Sequence, residues 1–387
     1  MTLERTKTVS WPTIIFFVLT TGFALVGTTL FLRSVGDQVG WFDWAVAGFM
    51  YLAGMISLTG GYHRLFSHRA YEASWPVRLV ALLFAAGTFQ YSALWWASEH
   101  RHHHKHADRE GDPYNINRGF LWAHIGWLIT PLVPENPRDN VDDLHKDPLV
   151  QWQHRHVRWL NFVMGLGLPM AMTTIYSVVV GRPLWIGLVS GFLIGGNVAI
   201  TAIEHSVFFI NSLCHTIGSR PYDTEQSARD SFIMAVLTLG EGYHNYHHKF
   251  QHDYRNGYLP WHFDPNKWII FMLSKVGLTS DLKRVPEESI RLAQLAEKRR
   301  HLALNAESGK LTLSDRVQSL MGEMHDTVVE KHKVFRILAS QYASIQKTGG
   351  RPDGQQELKQ RLELARAELR DLINNWNRTH RTVSSGA

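Results

Sequence analysis

The sequence predicts an all-α integral membrane protein with four transmembrane helices, a cytosolic helical cap and a charged helical extension at the C-terminal end. Three observations support this fold class. Residues 11–210 hold most of the apolar runs, whereas residues 281–387 are charged and carry few aromatic side chains. An apolar helix needs about 20 residues to cross the hydrocarbon of a bilayer, and several runs have that length. Three clusters of histidines follow or separate these runs.

Four runs are predicted to cross the membrane, and they are residues 11–32, 44–61, 159–180 and 184–210. The first carries no charge between Trp11 and Leu32. The second leads the chain directly into His63. A tight turn at Gly181-Arg182-Pro183 joins the third run to the fourth, which is interrupted only by Glu204 and His205.

A further apolar stretch, Val77 to Ala97, is predicted to be an interfacial or re-entrant helix. If it crossed the membrane, the first and second histidine clusters would lie on opposite sides and could not share a site. With four spans, both termini and all three clusters lie on one side. Lysine and arginine are abundant in 101–158 and 220–300, but the two opposite loops hold only Arg33 and Arg182. The positive-inside rule therefore predicts that the clusters face the cytoplasm.

The C-terminal extension, residues 286–387, is predicted to be separate from a membrane domain of residues 1–285. Its leucines and valines show heptad-like spacing around 311–346 and again at 358–373. This pattern predicts charged amphipathic helices, arranged as a long hairpin. A solvated helical tail, an oligomerisation element and a docking site for a partner all remain open.

The histidine clusters predict a metal site. His100, His103 and His104 stand at i, i+3 and i+4, and the spacing recurs at His244, His247 and His248. Residues at this spacing share one face of a helix, so each cluster is expected to direct three imidazoles at one spot. His63 and His68 are five apart, about 140° on an ideal helix. They converge only if the backbone bends or ends there, and Gly60-Gly61 is the expected place for the helix to loosen.

The number of histidines indicates two metal ions. With His215 the candidates number nine, too many for one four-coordinate zinc, so two metals with four or five ligands each are expected. Imidazole alone leaves zinc, copper, iron and nickel open. Only one Glu-x-x-His motif occurs, at Glu241 to His244, which disfavours a carboxylate-bridged centre. The single cysteine, Cys214, excludes cysteine-rich sites, and the net charge of +6 favours anionic lipid or an anionic substrate over nucleic acid.

Together these motifs resemble the membrane fatty-acyl desaturases, and most closely the acyl-CoA Δ9 (stearoyl-CoA type) branch. The resemblance covers about Trp44 to Leu282. It rests on Gly61-Tyr-His-Arg-Leu-Phe-Ser-His68, Glu99-His-Arg-His-His-His-Lys105, Asn211-Ser-Leu-Cys-His215 and Gly240-Glu-Gly-Tyr-His-Asn-Tyr-His-His248, with Asp112-Pro113-Tyr114-Asn115 and Arg220-Pro221-Tyr222-Asp223 at matching places.

The resemblance implies a di-iron centre held by histidines, molecular oxygen as co-substrate, and an external electron donor of the ferredoxin or cytochrome b5 type. The sequence has no complete G-x-G-x-x-G fingerprint for a nicotinamide or flavin of its own. By position, the implied iron ligands are His63, His68, His100, His103, His104, His215, His244, His247 and His248, with Asn211 as a further, water-mediated ligand.

The resemblance also implies an acyl tunnel lined by Gln90 and Trp96. Tyr51 and Met55 lie twelve and eight residues before His63, and we expect them to close the far end of this tunnel. The pair Ser98-Glu99 replaces the Arg-Asp that the acyl-CoA branch usually carries, so a phosphate-binding cation is missing at this point.

The expected activity is insertion of a cis double bond, at the Δ9 position, into a saturated fatty acyl-CoA, with the lipid bilayer but no nucleic acid as a partner. An acyl-lipid desaturase or a fatty-acyl hydroxylase would carry the same histidine spacing. A histidine-rich membrane metal transporter belongs to another class, and it predicts ligands along a path at bilayer depth.

Overall fold

The structure is a computed structural model and describes residues 9–130, 137–309, 314–348 and 352–385. It divides into two compact units. The first holds residues 1–219 and 226–284, and the second holds residues 220–225 and 285–387. The first unit carries the histidine clusters and the apolar helices.

Within the described residues, four helices of the first unit are long and apolar enough to cross a membrane, as the sequence predicts. We call them the first to fourth spans, and they are Trp11–Gln38, Trp41–Ser67, Pro148–Val180 and Leu184–His215. The third span begins before residue 159 because its polar first turns are also helical. Pro148 occupies the first turn, and the Asp147 carboxylate accepts hydrogen bonds from the backbone amides of Leu149 and Val150.

The apolar stretch 77–97 forms two shorter helices, Trp75–Ala86 and Ala93–His106. Phe89 and Tyr91 take positive φ angles of 60° and 63° in the connection, which turns the chain. Ser92 then caps the next helix by accepting a hydrogen bond from the Trp95 amide at 3.3 Å. Neither helix has the apolar length that a span needs, which agrees with the prediction that this stretch does not cross the membrane.

Shorter elements complete the first unit. They are a helix at 120–129, the helices Asp142–His145, Phe232–Leu237, His244–Lys249 and Pro265–Lys275, the 3-10 turn Ile116–Arg118, and the antiparallel strands Glu72–Ala73 and Thr279–Ser280.

Small residues let the third and fourth spans approach closely. A Cβ atom on Gly187 or Gly191 would overlap the third span at Thr173 or Met170. The Thr173 hydroxyl donates a 2.6 Å hydrogen bond to the Gly187 carbonyl across this contact. Such packing of small residues replaces the hydrophobic driving force that is missing between helices in lipid.

A buried ion pair fixes the loops at the end of the spans away from the histidines. Arg182 donates to both carboxylate oxygens of Asp43, at 2.7 and 2.9 Å. Asp43 is fully buried, and it also accepts a 2.6 Å hydrogen bond from the Ser190 hydroxyl. Through this one carboxylate, the three contacts join the second span to the fourth span and to the turn that precedes it.

The second unit contains the helices Glu287–Glu307, Asp315–Thr348 and Pro352–Ser385. The last two pack along each other around an apolar core that includes Phe335, Leu369 and Trp376. The sequence predicts a hairpin here, and the structure adds a third helix to it. Trp376 is fully buried, and its indole N–H donates to the Met321 carbonyl at 3.2 Å.

Candidate metal centre

Nine histidine side chains from distant parts of the first unit lie in two adjoining groups. Within each group, one ring nitrogen from every histidine lies within 4.8 Å of the others. The five-histidine group is His63, His68, His100, His104 and His247, and the four-histidine group is His103, His215, His244 and His248. These are the nine histidines that the sequence singles out.

Each i, i+3, i+4 cluster is divided between the two groups, so the expectation that three imidazoles meet at one spot is wrong. His100 and His104 join the five-histidine group, whereas His103 points to the other. The downstream cluster does the reverse: His244 and His248 join the four-histidine group and His247 crosses over. Residues four apart align best along a helix, and the residue at i+3 lies about 100° around it from the residue at i+4.

A wide helix brings His63 and His68 together. Residues Ser57–Ser67 form a π-helix, and the His68 amide donates to the His63 carbonyl at 3.0 Å. In this geometry the backbone bonds run from i to i+5, so residues five apart stack instead of diverging. Gly60 and Gly61 serve close packing, because a Cβ on Gly61 would lie 2.8 Å from the Cβ of Ala81.

Within each group, the histidines face one another through their Nε2 atoms. In the five-histidine group, Nε2 separations are 2.9 Å for His63 and His247, 2.8 Å for His68 and His100, 3.1 Å for His100 and His104, and 3.0 Å for His104 and His247. Two nitrogens bound at about 2.1 Å to one metal at a right angle are about 3.0 Å apart. The spacing therefore fits nitrogens arranged around one cation.

The four-histidine group has the same arrangement. Its Nε2 separations are 3.1 Å for His215 and His244, 3.1 Å for His244 and His248, and 3.3 Å for His103 and His248.

Hydrogen bonds on the outer nitrogens fix which ring nitrogen is free. The Nδ1 atom of His103 lies 2.8 Å from an Asp112 oxygen, and that of His248 lies 2.9 Å from Gln226 Oε1. Both partners are acceptors, so Nδ1 carries the hydrogen and Nε2 presents a lone pair inward. Lone pairs that converge without a proton repel each other, and a metal cation removes that conflict.

His215 follows the same rule through a hydroxyl. Its Nδ1 lies 2.6 Å from Ser227 Oγ, and this hydroxyl donates its own hydrogen to Asp108 at 2.5 Å. The serine oxygen therefore accepts from the imidazole, which leaves Nε2 of His215 free to bind.

Burial keeps the imidazoles neutral. Burial, and after it the neighbouring imidazoles, hold the pKa of six of these histidines well below the ordinary value. They are His68, His100, His104, His244, His247 and His248. Neutral imidazole is the form that binds transition metals, so the donor set fits two metal ions.

A buried network of hydrogen bonds and ion pairs holds the outer nitrogen of His63 in the five-histidine group. The Glu241 carboxylate lies 2.9 Å from His63 Nδ1, and it accepts hydrogen bonds from Arg64 at 2.9 Å and from Asn256 at 2.7 Å. Arg64 is 1% exposed, and it also donates to Asp264 at 3.0 Å. Burial alone would raise the pKa of Glu241, but the adjacent His63 and Arg64 lower it to about 2, so the carboxylate is ionised.

These outer partners are not among the site residues that the sequence predicts. Asp112 lies in a tetrapeptide that only the resemblance distinguishes, and Glu241 enters the sequence pattern only through its Glu-x-x-His motif. Gln226 and Ser227 carry no motif that sets them apart. Their role follows from contacts made across the fold, for which spacing gives no signal.

A cavity of about 900 Å³ reaches the centre. Four of the nine histidines line it: His63, His100, His103 and His244. Much of the remaining wall is aromatic, with Phe16, Phe17, Phe89, Trp95, Trp96, Trp127 and Phe208. Polar side chains of the wall include Glu99, His102, Arg138, His154 and Arg158. A large, mainly apolar cavity with a few polar groups is typical of a binding site for a small molecule.

Of the four residues expected to contact substrate, the structure places two on the cavity wall and two away from it. Gln90 and Trp96 line the cavity, and the Trp96 indole lies 3.4 Å from Gln90 Oε1. Tyr51 and Met55 are not on its wall. Met55 is fully buried in the apolar core of the unit, and the Tyr51 hydroxyl donates to the Leu237 carbonyl at 2.8 Å. Their role at the tunnel end stays a prediction.

Asn211 lies beside the centre on the same cavity wall as His103 and His244. Its role as a water-mediated ligand stays a prediction. His102 and His106 belong to neither histidine group, and their rings pair with each other at 4.6 Å.

Comparison with known proteins gives consistent matches. A family model described as fatty acid desaturase matches residues 41–265. The chain is 40% identical over 253 residues to a probable acyl-CoA desaturase of Schizosaccharomyces pombe, covering 64% of this chain and 50% of that protein. It is 36% identical over 255 residues to acyl-CoA desaturase 1 of Saccharomyces cerevisiae, covering 66% and 48%. It is 32% identical over 284 residues to human stearoyl-CoA desaturase, covering 72% and 76%. The chain thus spans about half the length of the first two relatives.

Proposed function

Because the chain belongs to the fatty acid desaturase family, we propose that it is a di-iron, oxygen-dependent desaturase that introduces a cis double bond into a saturated fatty acyl-CoA. One observation carries the proposal: nine imidazoles lie in two adjoining groups, and four of them line the wall of a large, mainly apolar cavity. A redox metal pair and a hydrocarbon chain would meet at this place.

The nine histidines would hold two iron ions, five ligands on one and four on the other. Iron with molecular oxygen supplies an oxidant strong enough to remove hydrogen from unactivated methylene groups, which no side chain can do. The protein's part is to hold the outer nitrogens with Glu241, Asp112 and Gln226, and to keep the inner nitrogens unprotonated.

The reaction needs electrons from outside. Removing two hydrogens from the acyl chain and reducing oxygen to two waters requires two further electrons and two protons. We therefore propose an external donor of the ferredoxin or cytochrome b5 type. The positive-inside rule favours a centre that faces the cytoplasm, where such donors and acyl-CoA are dissolved.

The substrate would lie along the cavity wall. Gln90 and Trp96 border it close to the histidines, since the Trp96 ring stacks on His100 with centroids 4.8 Å apart. The wall excludes water from the chain and fixes which methylenes face the metals. We propose the Δ9 position, by similarity to relatives named stearoyl-CoA desaturases.

Acyl-CoA is favoured over lipid-linked acyl groups because the relatives are named acyl-CoA desaturases. Arg138 and Arg158 on the cavity wall offer cations in place of the one missing at Ser98-Glu99. An acyl-lipid desaturase or a fatty-acyl hydroxylase is the alternative within the family.

A metal transporter is disfavoured by the position of the ligands along the spans. His63 lies near the last turn of the second span, and His215 is the last residue of the fourth. A transport path would need ligands at bilayer depth, and these stand at one end of the spans.

The proposal is tested by expressing the chain in cells that are fed defined saturated acyl substrates, followed by mass spectrometry of the products. We expect a single new cis double bond whose position is the same in chains of different length. A hydroxylated product, or no change in the fatty acids despite iron in the purified protein, would contradict the proposal.

A further inference from the structure

A buried carboxyl that the proposed reaction does not use lies on the cavity wall. Glu204 belongs to the fourth span, is 3% exposed, and lines the cavity. Among the residues that the structure describes, none forms a hydrogen bond or an ion pair with it. A carboxyl taken out of water without a partner is unfavourable, and an ionisable residue in a membrane helix usually has a function.

The position of Glu204 relates it to the acyl chain. Val207, Phe208 and Asn211 follow it on the same helix and line the same cavity. Asn211 stands seven residues later, about 10.5 Å along the helix axis. Phe208 packs edge-on against Phe17 at 5.6 Å. The carboxyl therefore stands in an apolar part of the wall, two helical turns from the residue beside the histidines.

Two other side chains indicate that the cavity holds a molecule with polar atoms. Gln90 Nε2 and Trp127 Nε1 are buried, line the cavity and have no hydrogen-bond partner. The carbonyl of a thioester can accept from these donors. The saturated chain of an ordinary acyl group offers nothing to Glu204, whereas a hydroxyl suits it whether the carboxyl is ionised or neutral, because a hydroxyl both donates and accepts.

We propose that Glu204 hydrogen-bonds a hydroxyl group on the acyl chain, so that the cavity prefers hydroxylated acyl chains to plain ones. The inference rests on the proposed function and names the substrate class of the same site. The hydroxyl would lie roughly 10 Å from the methylenes at the metals. A plain chain still fits the cavity, but it leaves the Glu204 carboxyl without a hydrogen-bond partner and therefore binds less well.

The test compares stearoyl-CoA with a set of hydroxystearoyl-CoA isomers on the purified, iron-loaded protein, supplied with oxygen and a reduced donor of the ferredoxin or cytochrome b5 type. Turnover is measured in mixtures, and the rise in the melting temperature of the protein with each compound is measured separately. One isomer is expected to be preferred by about tenfold, as for one buried hydrogen bond. Glu204→Leu should remove that preference in both measurements, and Glu204→Gln should keep part of it.

Thr201→Val is the matched control. It removes a buried hydroxyl that also lacks a partner, one turn earlier on the same span and away from the cavity wall. This variant should leave the preference unchanged. If Glu204→Leu fails to fold, Glu204→Gln alone tests the inference. Its preference for the favoured hydroxystearoyl-CoA isomer over stearoyl-CoA should then be smaller than that of the unmodified protein.

The possible failures are distinguishable. If the protein converts stearoyl-CoA but shows the same turnover and melting temperature with every isomer, the inference is wrong and the proposed function stands. The inference is also wrong if the leucine variant keeps the preference. Absence of product from all the chains, with iron bound, would contradict the proposed function itself.

Discussion

Replacing Glu241 with glutamine should weaken metal binding in the five-histidine group. The carboxylate lies 2.9 Å from His63 Nδ1 and holds that imidazole with its Nε2 atom inward. An amide of the same shape accepts hydrogen bonds through one oxygen only and can turn its N–H groups toward the histidine. Removing such a partner typically reduces metal affinity by about 10–100-fold.

The same substitution should also destabilise the fold. Arg64 is buried between two carboxylates, Glu241 at 2.9 Å and Asp264 at 2.9 Å. Breaking a buried ion pair typically costs about 3–5 kcal/mol. In Glu241→Gln, Asp264 still pairs with the Arg64 charge. We therefore expect the free energy of unfolding to fall by only about 2–3 kcal/mol.

Asp264→Asn is the control that separates the two effects. Asp264 contacts the same arginine, but it forms no hydrogen bond or ion pair with any of the nine histidines of the two groups. Both variants should lower the melting temperature of the metal-free protein. Only Glu241→Gln should lose its metal at a lower chelator concentration than the unmodified protein does. The metal content is measured by elemental analysis of the folded fraction after equilibration with a series of chelator concentrations. Equal loss of metal in the two variants would refute the idea that Glu241 acts by orienting His63.

Three further predictions follow from the site and the spans. His103→Ala and His247→Ala, one from each histidine group, should each abolish unsaturated product while the protein stays in the membrane fraction, and surviving activity in either would contradict the ligand assignment. Arg182→Met should lower stability by about 3–5 kcal/mol, since it leaves Asp43 buried without its cation; a melting temperature like that of the unmodified protein would show that the pair contributes little. Met55→Ala should shift the products toward longer chains if Met55 limits the tunnel, and an unchanged chain-length profile would remove it from that role.

Much of the fold could be predicted because bilayer physics restricts the choices. A run such as Trp11 to Leu32 needs only its length and lack of charge to be identified as a span. The stretch 77–97 is harder, since its composition alone resembles a span. Its prediction as a non-spanning segment depended on requiring two histidine clusters to share one site, and the turn through Phe89 and Tyr91 agrees with this.

The details of the site could not be predicted in the same way. An α-helical geometry separates His63 from His68. Gly60-Gly61 predicts where the helix loosens, but the sequence does not show that it widens into a π-helix over Ser57–Ser67. Likewise, the i, i+3, i+4 spacing indicates a shared face but not which imidazole crosses to the other group. That choice depends on how the helices Ala93–His106 and His244–Lys249 meet, which is a property of the packed structure.

The cavity depends still more on tertiary packing. Met55 lies roughly on the same face of its span as His63 by sequence spacing, yet Leu58 and Thr59 are the residues of that span on the cavity wall beside His63. The π-helix changes the angle per residue, so positions counted back from His63 on an ideal helix end on a different face.

The most direct test is the metal content of the purified protein after reconstitution with ferrous iron under anaerobic conditions. Elemental analysis should find two iron ions per chain, and X-ray absorption should find each surrounded mainly by imidazole nitrogen. A single zinc ion per chain, or iron that is not bound through these histidines, would contradict the account.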